Sequence, residues 1–123
     1  MPTFVWYKDV KELEFSLDSI RSTFMNNRSL VQLAEDLISG RTQVERLHVL
    51  LIERHNDVWH VMKGNRILYV LQELERLGWL KKKIAVKVFK GRKRFSYVYG
   101  QPIKVRGQVD VSRQIQALFQ QLR

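Results

Sequence analysis

Gly64, Asn65 and Arg66 stand between a strand-like run, Trp59-His60-Val61-Met62-Lys63, and a helix-like run that begins Ile67-Leu68-Tyr69. A strand, a sharp turn and a helix start together form an anion site. The first helical turn has backbone N–H groups without partners, and the macrodipole adds partial positive charge there. Gly64 lets the backbone approach a ligand, Asn65 is a candidate helix cap, and Arg66 brings a permanent cation. On spacing alone, a tight connection with a solvated Arg66 is the simpler account. His60 leads into the turn and shares its strand face with Met62. A histidine beside phosphate can act as acid, base or cation, which makes His60 the catalytic candidate, although a lone strand histidine is more often an ordinary surface residue. His48 and His55 are expected to be structural or solvent-facing. Glu53, Asp57, Glu73 and Glu75 form no convergent carboxylate pair by spacing, so no metal ligands are assigned, and a divalent ion is expected only if the protein cleaves phosphodiesters. No phosphate-binding P-loop, zinc-protease helix or nucleophile elbow occurs.

The formal charge of +10 is concentrated in one region. Residues 81–107 hold Lys81, Lys82, Lys83, Lys87, Lys90, Arg92, Lys93, Arg94, Lys104 and Arg106 and no acidic residue, so the rest of the chain is neutral. Phe89, Phe95, Tyr97 and Tyr99 are interleaved with these cations. The pattern predicts a positively charged sheet edge that suits a polyanion. A merely solubilising surface would spread its charge more evenly. The 123 residues, 45% of them apolar, fit one domain spanning 1–123, and the absence of cysteine removes disulfides, thiolate catalysis and Cys-ligated zinc. No apolar run reaches the roughly 18 residues of a membrane span, and no signal pattern opens the chain. An intracellular protein, with no membrane partner, is the expectation.

The elements that must position these residues follow from periodicity and punctuation. Phe4 to Tyr7 reads as an edge strand or arm, and Leu13 to Leu17 as a short strand. Asp18 is expected to cap a short helix with Ile20 and Phe24 on one face. Ser29 and Gln32 form a capping-box pattern ahead of a helix through Leu30, Leu33, Ala34, Leu37 and Ile38, stopped by Gly40. Leu47 to Glu53 reads as a buried strand, His55-Asn56-Asp57 as a turn, and Val58 to Met62 as its hairpin partner. Ile67, Val70, Leu71, Leu74 and Leu77 make an apolar stripe at helical spacing, ending at Gly78. Strands are expected over Ile84–Phe89 and Phe95–Tyr99, separated by a turn at Gly91. A last helix spans 110–123, capped by Asp110 or Ser112, with Val111, Ile115, Leu118, Phe119 and Leu122 on one face. The fold class is α/β (α+β): a mixed sheet with flanking helices.

This order of elements resembles the ParB N-terminal domain family, over about residues 18–90. The likeness rests on Ser19-Ile20-Arg21-Ser22-Thr23-Phe24, on Leu30 to Gly40 with its Leu-x-x-Leu-Ala core, and on Leu50-Leu51-Ile52. It continues through Trp59 to Arg66, Gly78, and Ile84-Ala85-Val86-Lys87-Val88. The resemblance implies a ParB/sulfiredoxin-like fold in which a Gly-Glu-Arg-Arg turn binds nucleotide phosphates. Gly64 and Arg66 match that turn, whereas Asn65 replaces its glutamate and Ile67 its second arginine. Those changes remove a bidentate phosphate donor and a metal- or water-orienting group, and they argue against nucleotide hydrolysis of the segregation type. Sulfiredoxin chemistry needs a cysteine at the turn and is rejected. The resemblance also implies that Arg21 faces the same pocket, where two guanidiniums and a helix N-terminus make a phosphate clamp. A surface pairing of Arg21 with Glu14 is the competing account.

The expected function is nucleic-acid or nucleotide binding, with Gly64, Asn65, Arg66 and Arg21 on phosphate and the cations from Lys81 to Arg94 along a polyanion backbone. A phosphodiester-cleaving nuclease is the enzymatic version of this expectation. The alternative is a non-catalytic interaction module whose C-terminal helix docks a partner or a second copy. A small-molecule kinase is a weaker third reading.

Overall fold

Runs in which every second residue is apolar can hide one face only by pairing, and here they pair into a curled mixed sheet. The structure, a computed structural model, describes residues 5–89, 95–97, 101–108 and 110–122. Its strands are β1 (Trp6–Lys8), β2 (Leu13–Phe15), β3 (Ser19–Arg21), β4 (Leu50–His55), β5 (Val58–Lys63), β6 (Ile84–Val88) and β7 (Lys104–Arg106). The helices are α1 (Leu30–Ser39), α2 (Asn65–Arg76) and α3 (Val111–Leu122), with single 3-10 turns at Val10–Glu12 and Val44–Arg46.

Five strands lie in the order β1-β6-β4-β5-β2, and β3 pairs with β7 in a separate two-stranded sheet. β1/β6 and β4/β5 are antiparallel, while β4/β6, β2/β5 and β3/β7 are parallel. The registers place Leu13, Phe15, Leu50, Ile52, Val61 and Val86 on the inner face, where all are buried. Glu14, His60 and Glu53 face one another across three strands on the outer side. The Trp6 and Trp59 rings meet edge-on at 5.5 Å although two strands separate theirs in the sheet, which measures the curl. α1 packs against α2 and α3, and buried Val111 and Ile115 of α3 complete the core.

The result is a small α+β domain with three helices among the described residues. Local signals set both ends of α1. The Ser29 hydroxyl accepts from the Gln32 N–H at 3.0 Å, and Gly40 ends the helix at φ 82°. Only half of the capping box forms, because the Gln32 amide donates forward to Asp36 instead of back to the cap.

Several expectations need correction. The segment after Asp18 is strand β3 rather than a helix: the Lys104 N–H donates to the Asp18 carbonyl at 3.0 Å and the Ser22 N–H to the Arg106 carbonyl at 2.9 Å, while Ile20 is buried. Asp18 caps no helix there and accepts from the Ser96 hydroxyl instead. The strand expected from Leu47 starts at Leu50, after the 3-10 turn. Residues 95–97 are not a strand, and 98–99 and the Gly91 turn lie outside the described residues. β6 is flanked on both sides, so the part of the basic block that forms a sheet edge is β7, with Lys104 and Arg106, in the two-stranded sheet. Among the described residues no helix is long and apolar enough to cross a membrane.

Candidate functional site

The strand β5, the Gly64 turn and helix α2 are continuous, as the site requires. Gly64, rather than Asn65, is the N-cap residue, with φ 107° and no side-chain cap bond. A Cβ at this position would sit 2.3 Å from Cδ2 of buried Leu50. Glycine is therefore dictated by close packing of the turn on β4 as well as by the positive φ. Asn65 turns inward and is buried: its side-chain carbonyl accepts from the Ser16 N–H and its amide donates to the Ser16 hydroxyl, each at 3.1 Å. The side chain that sequence assigned to a cap or to phosphate instead ties the end of β2 to the start of α2.

The helix start opens onto a cleft of about 1060 Å³ lined by Arg21, Arg28, Arg46, Lys63, Arg66 and Arg106. Among the described residues no aspartate or glutamate lines it. Arg66 reaches across the cleft floor, donating to the Thr23 carbonyl at 2.7 Å, with its guanidinium 5.4 Å from the Phe24 ring centre. One of its five N–H donors is thereby used, which orients the head group and leaves others for a ligand. Arg21 and Arg106 are register partners in the parallel β3/β7 pair. Like charges set directly opposite on paired strands repel, and an anion between them removes that cost. Arg21 makes no ion pair with Glu14, which accepts instead from the Tyr97 hydroxyl at 3.0 Å. Arg28 is the compromised member of the set, because it pairs with buried Asp36, which also accepts from the Arg41 Nε–H at 2.9 Å.

His60 does not belong to the cleft. It is buried on the outer sheet face, with Nδ1 at 2.9 Å from the Phe15 carbonyl and the Phe95 and Tyr97 rings against it. The expected catalytic position is thus a packed, hydrogen-bonded one. The histidine that does line the cleft is exposed His48, which sequence reading set aside. The Val-, Leu- and Ile-rich run placed His48 at the opening of a buried strand that in fact begins two residues later.

The basic block is divided. Lys81, Lys82 and Lys83 lie exposed between α2 and β6, with Lys82 paired to Glu45. Lys87 sits on β6 opposite Leu51, and Arg106 joins the cleft from β7. Lys90, Arg92, Lys93 and Arg94 lie outside the described residues. Arg28, Arg46, Lys63 and Arg106 were not expected as site residues. Only Arg106 carried a signal, as part of the acid-free stretch. Among the described residues no three His, Asp or Glu side chains gather as metal ligands would. Comparison with protein-family models, curated proteins and solved structures finds no match.

Proposed function

We propose that this protein binds nucleic acid through its phosphate backbone, in the cleft at the Gly64 turn, on a scaffold of the ParB/sulfiredoxin-like kind. The observation that carries the reading is the six-cation lining, without a carboxylate among the described residues, built from four separate parts of the chain. Residues 19–28, 46, 63–66 and 106 have no reason of local sequence to share one concave surface. Their convergence costs repulsion that a polyanion relieves. In support of the ParB-like scaffold are the order of its elements and the strand, glycine turn and helix at 58–76. The free-standing interaction module finds less support, because α3 already uses Val111 and Ile115 in its own core.

The test is fluorescence anisotropy with labelled oligonucleotides over a range of salt. With Arg28 held by Asp36, five cations remain, and the slope of log affinity against log salt is expected near −3.5, from about −0.7 per neutralised single-strand phosphate. Replacing Arg21 and Arg106 together by glutamate should abolish binding at moderate salt. Salt-independent binding, or binding indifferent to the double reversal, refutes the proposal. Phosphodiester cleavage is followed in the same samples with Mg²⁺, Mn²⁺ or EDTA. If nicking occurs, His48→Ala is expected to reduce it and His60→Ala to reduce it only through lost stability.

A further inference from the structure

A second cavity, of about 690 Å³, adjoins the cationic cleft. Thr42 lines both, residues 43–45 wall the second and residues 46–48 the first. Leu33 of α1 faces the cleft and Leu37 the second cavity, one helical turn or about 6 Å further on. The second cavity differs in chemistry. Trp79, Leu37, Leu80 and Val44 give it apolar walls, with Lys81 and the Lys82–Glu45 pair at its border. The backbone at Trp79 is fixed, since its main-chain N–H and that of Leu80 both donate to the Leu74 carbonyl, at 2.9 and 3.1 Å, and the Trp79 side chain is half-buried against the core.

A cationic cleft adjoining a cavity with a half-buried aromatic side chain in its wall matches a polymer that alternates charge with flat apolar groups. Given the nucleic-acid reading above, we infer that the ligand is a single strand, its phosphates in the cleft and a base stacked on Trp79. A duplex keeps its bases stacked on one another and can offer none to Trp79, whereas a single strand exposes them. Lys81 is exposed and makes no ion pair among the described residues, so it is placed to take the phosphate flanking that base.

The experiment uses the full chain with Trp6→Phe and Trp59→Phe, which leaves Trp79 as its sole tryptophan. Oligodeoxythymidylate, a duplex of equal length and inorganic polyphosphate are titrated while Trp79 emission is recorded. Oligodeoxythymidylate is expected to quench the emission. Polyphosphate should bind without quenching, and the duplex should bind more weakly than the single strand. In the otherwise unaltered protein, Trp79→Leu should weaken the oligonucleotide about tenfold, in the range of one lost base stack. It should leave polyphosphate affinity unchanged, and Trp79→Phe should restore most of the loss. Oligonucleotide binding that is abolished by the Arg21/Arg106 reversal but neither quenches Trp79 nor responds to Trp79→Leu overturns the stacking inference and leaves the cleft reading standing. Equal affinity for duplex and single strand overturns it too. Binding to none of the three probes overturns both.

Discussion

Gly64→Ala separates a glycine that serves packing from one that serves a ligand. At φ 107° an alanine adopts a backbone region that L-residues avoid, costing about 1–3 kcal/mol. Its methyl carbon would also lie 2.3 Å from Leu50 Cδ2, far inside van der Waals contact. Leu50 is 2% exposed, so the methyl is accommodated only by shifting a core side chain, at about 1–3 kcal/mol. The two contributions predict a loss of about 2–6 kcal/mol, a large share of the ordinary stability of a small domain. Urea unfolding followed by circular dichroism measures it, with the slope of the transition unchanged if the denatured state is unaffected. Leu50→Ala alone should cost about 2–5 kcal/mol through the cavity it leaves. Combined with Gly64→Ala it should cost about 1–3 kcal/mol less than the sum, because the new methyl enters space the leucine vacated. A loss below about 1 kcal/mol for Gly64→Ala, or strict additivity in the cycle, refutes the packing argument. Unchanged stability with lost oligonucleotide binding would return Gly64 to the role of a ligand-facing glycine.

Three further outcomes follow from the same geometry. Asp36→Asn should lower stability by about 1–3 kcal/mol, since it weakens charged hydrogen bonds to half-exposed arginines, and should steepen the salt dependence of binding by about 0.7 as Arg28 is released to the cleft; stability and binding measured on one preparation test the opposite signs. Asn65→Ala should cost about 1–3 kcal/mol by leaving the buried Ser16 N–H without its acceptor, and hydrogen exchange at the Ser16 amide should accelerate; an unchanged exchange rate contradicts the tie between β2 and α2. Tyr69 has its hydroxyl pushed up to about 12, by burial first and the Glu73 charge second, against a partial opposing effect of Arg76. The folded state therefore holds its proton where the unfolded chain, with its ordinary value of 10.0, loses it. Stability from this source is complete below that value and is lost as pH rises toward 12. Tyr69→Phe should remove the decline, as read from urea midpoints across that window.

What the sequence determined by itself was whatever depends on neighbours along the chain. The stripe from Ile67 to Leu77, the Ser29 cap, the Gly40 stop and the β4–β5 hairpin all follow from side-chain periodicity and from turn residues that act within a few positions. The position of the strand–glycine–helix turn was likewise legible, and so was its cationic Arg66. Tertiary structure decided which residues share the cleft and which do not. Ile20 and its neighbours could have served a short helix, but backbone partners on β7, more than eighty residues away in sequence, drew them into a strand and set Arg21 beside Arg106. The period-2 pattern placed His60 correctly on β5 but could not tell that residues 95–97 would cover that face. Asn65 looked like a cap because a local hydrogen bond to its own helix was available; the buried Ser16 N–H just after β2 took its side chain instead. Local preference is worth a fraction of a kilocalorie per residue, whereas burying an apolar side chain or leaving a polar group unpaired is worth roughly 1–3 kcal/mol. Wherever the two disagreed, the long-range contact prevailed, and the cleft is assembled largely from such places.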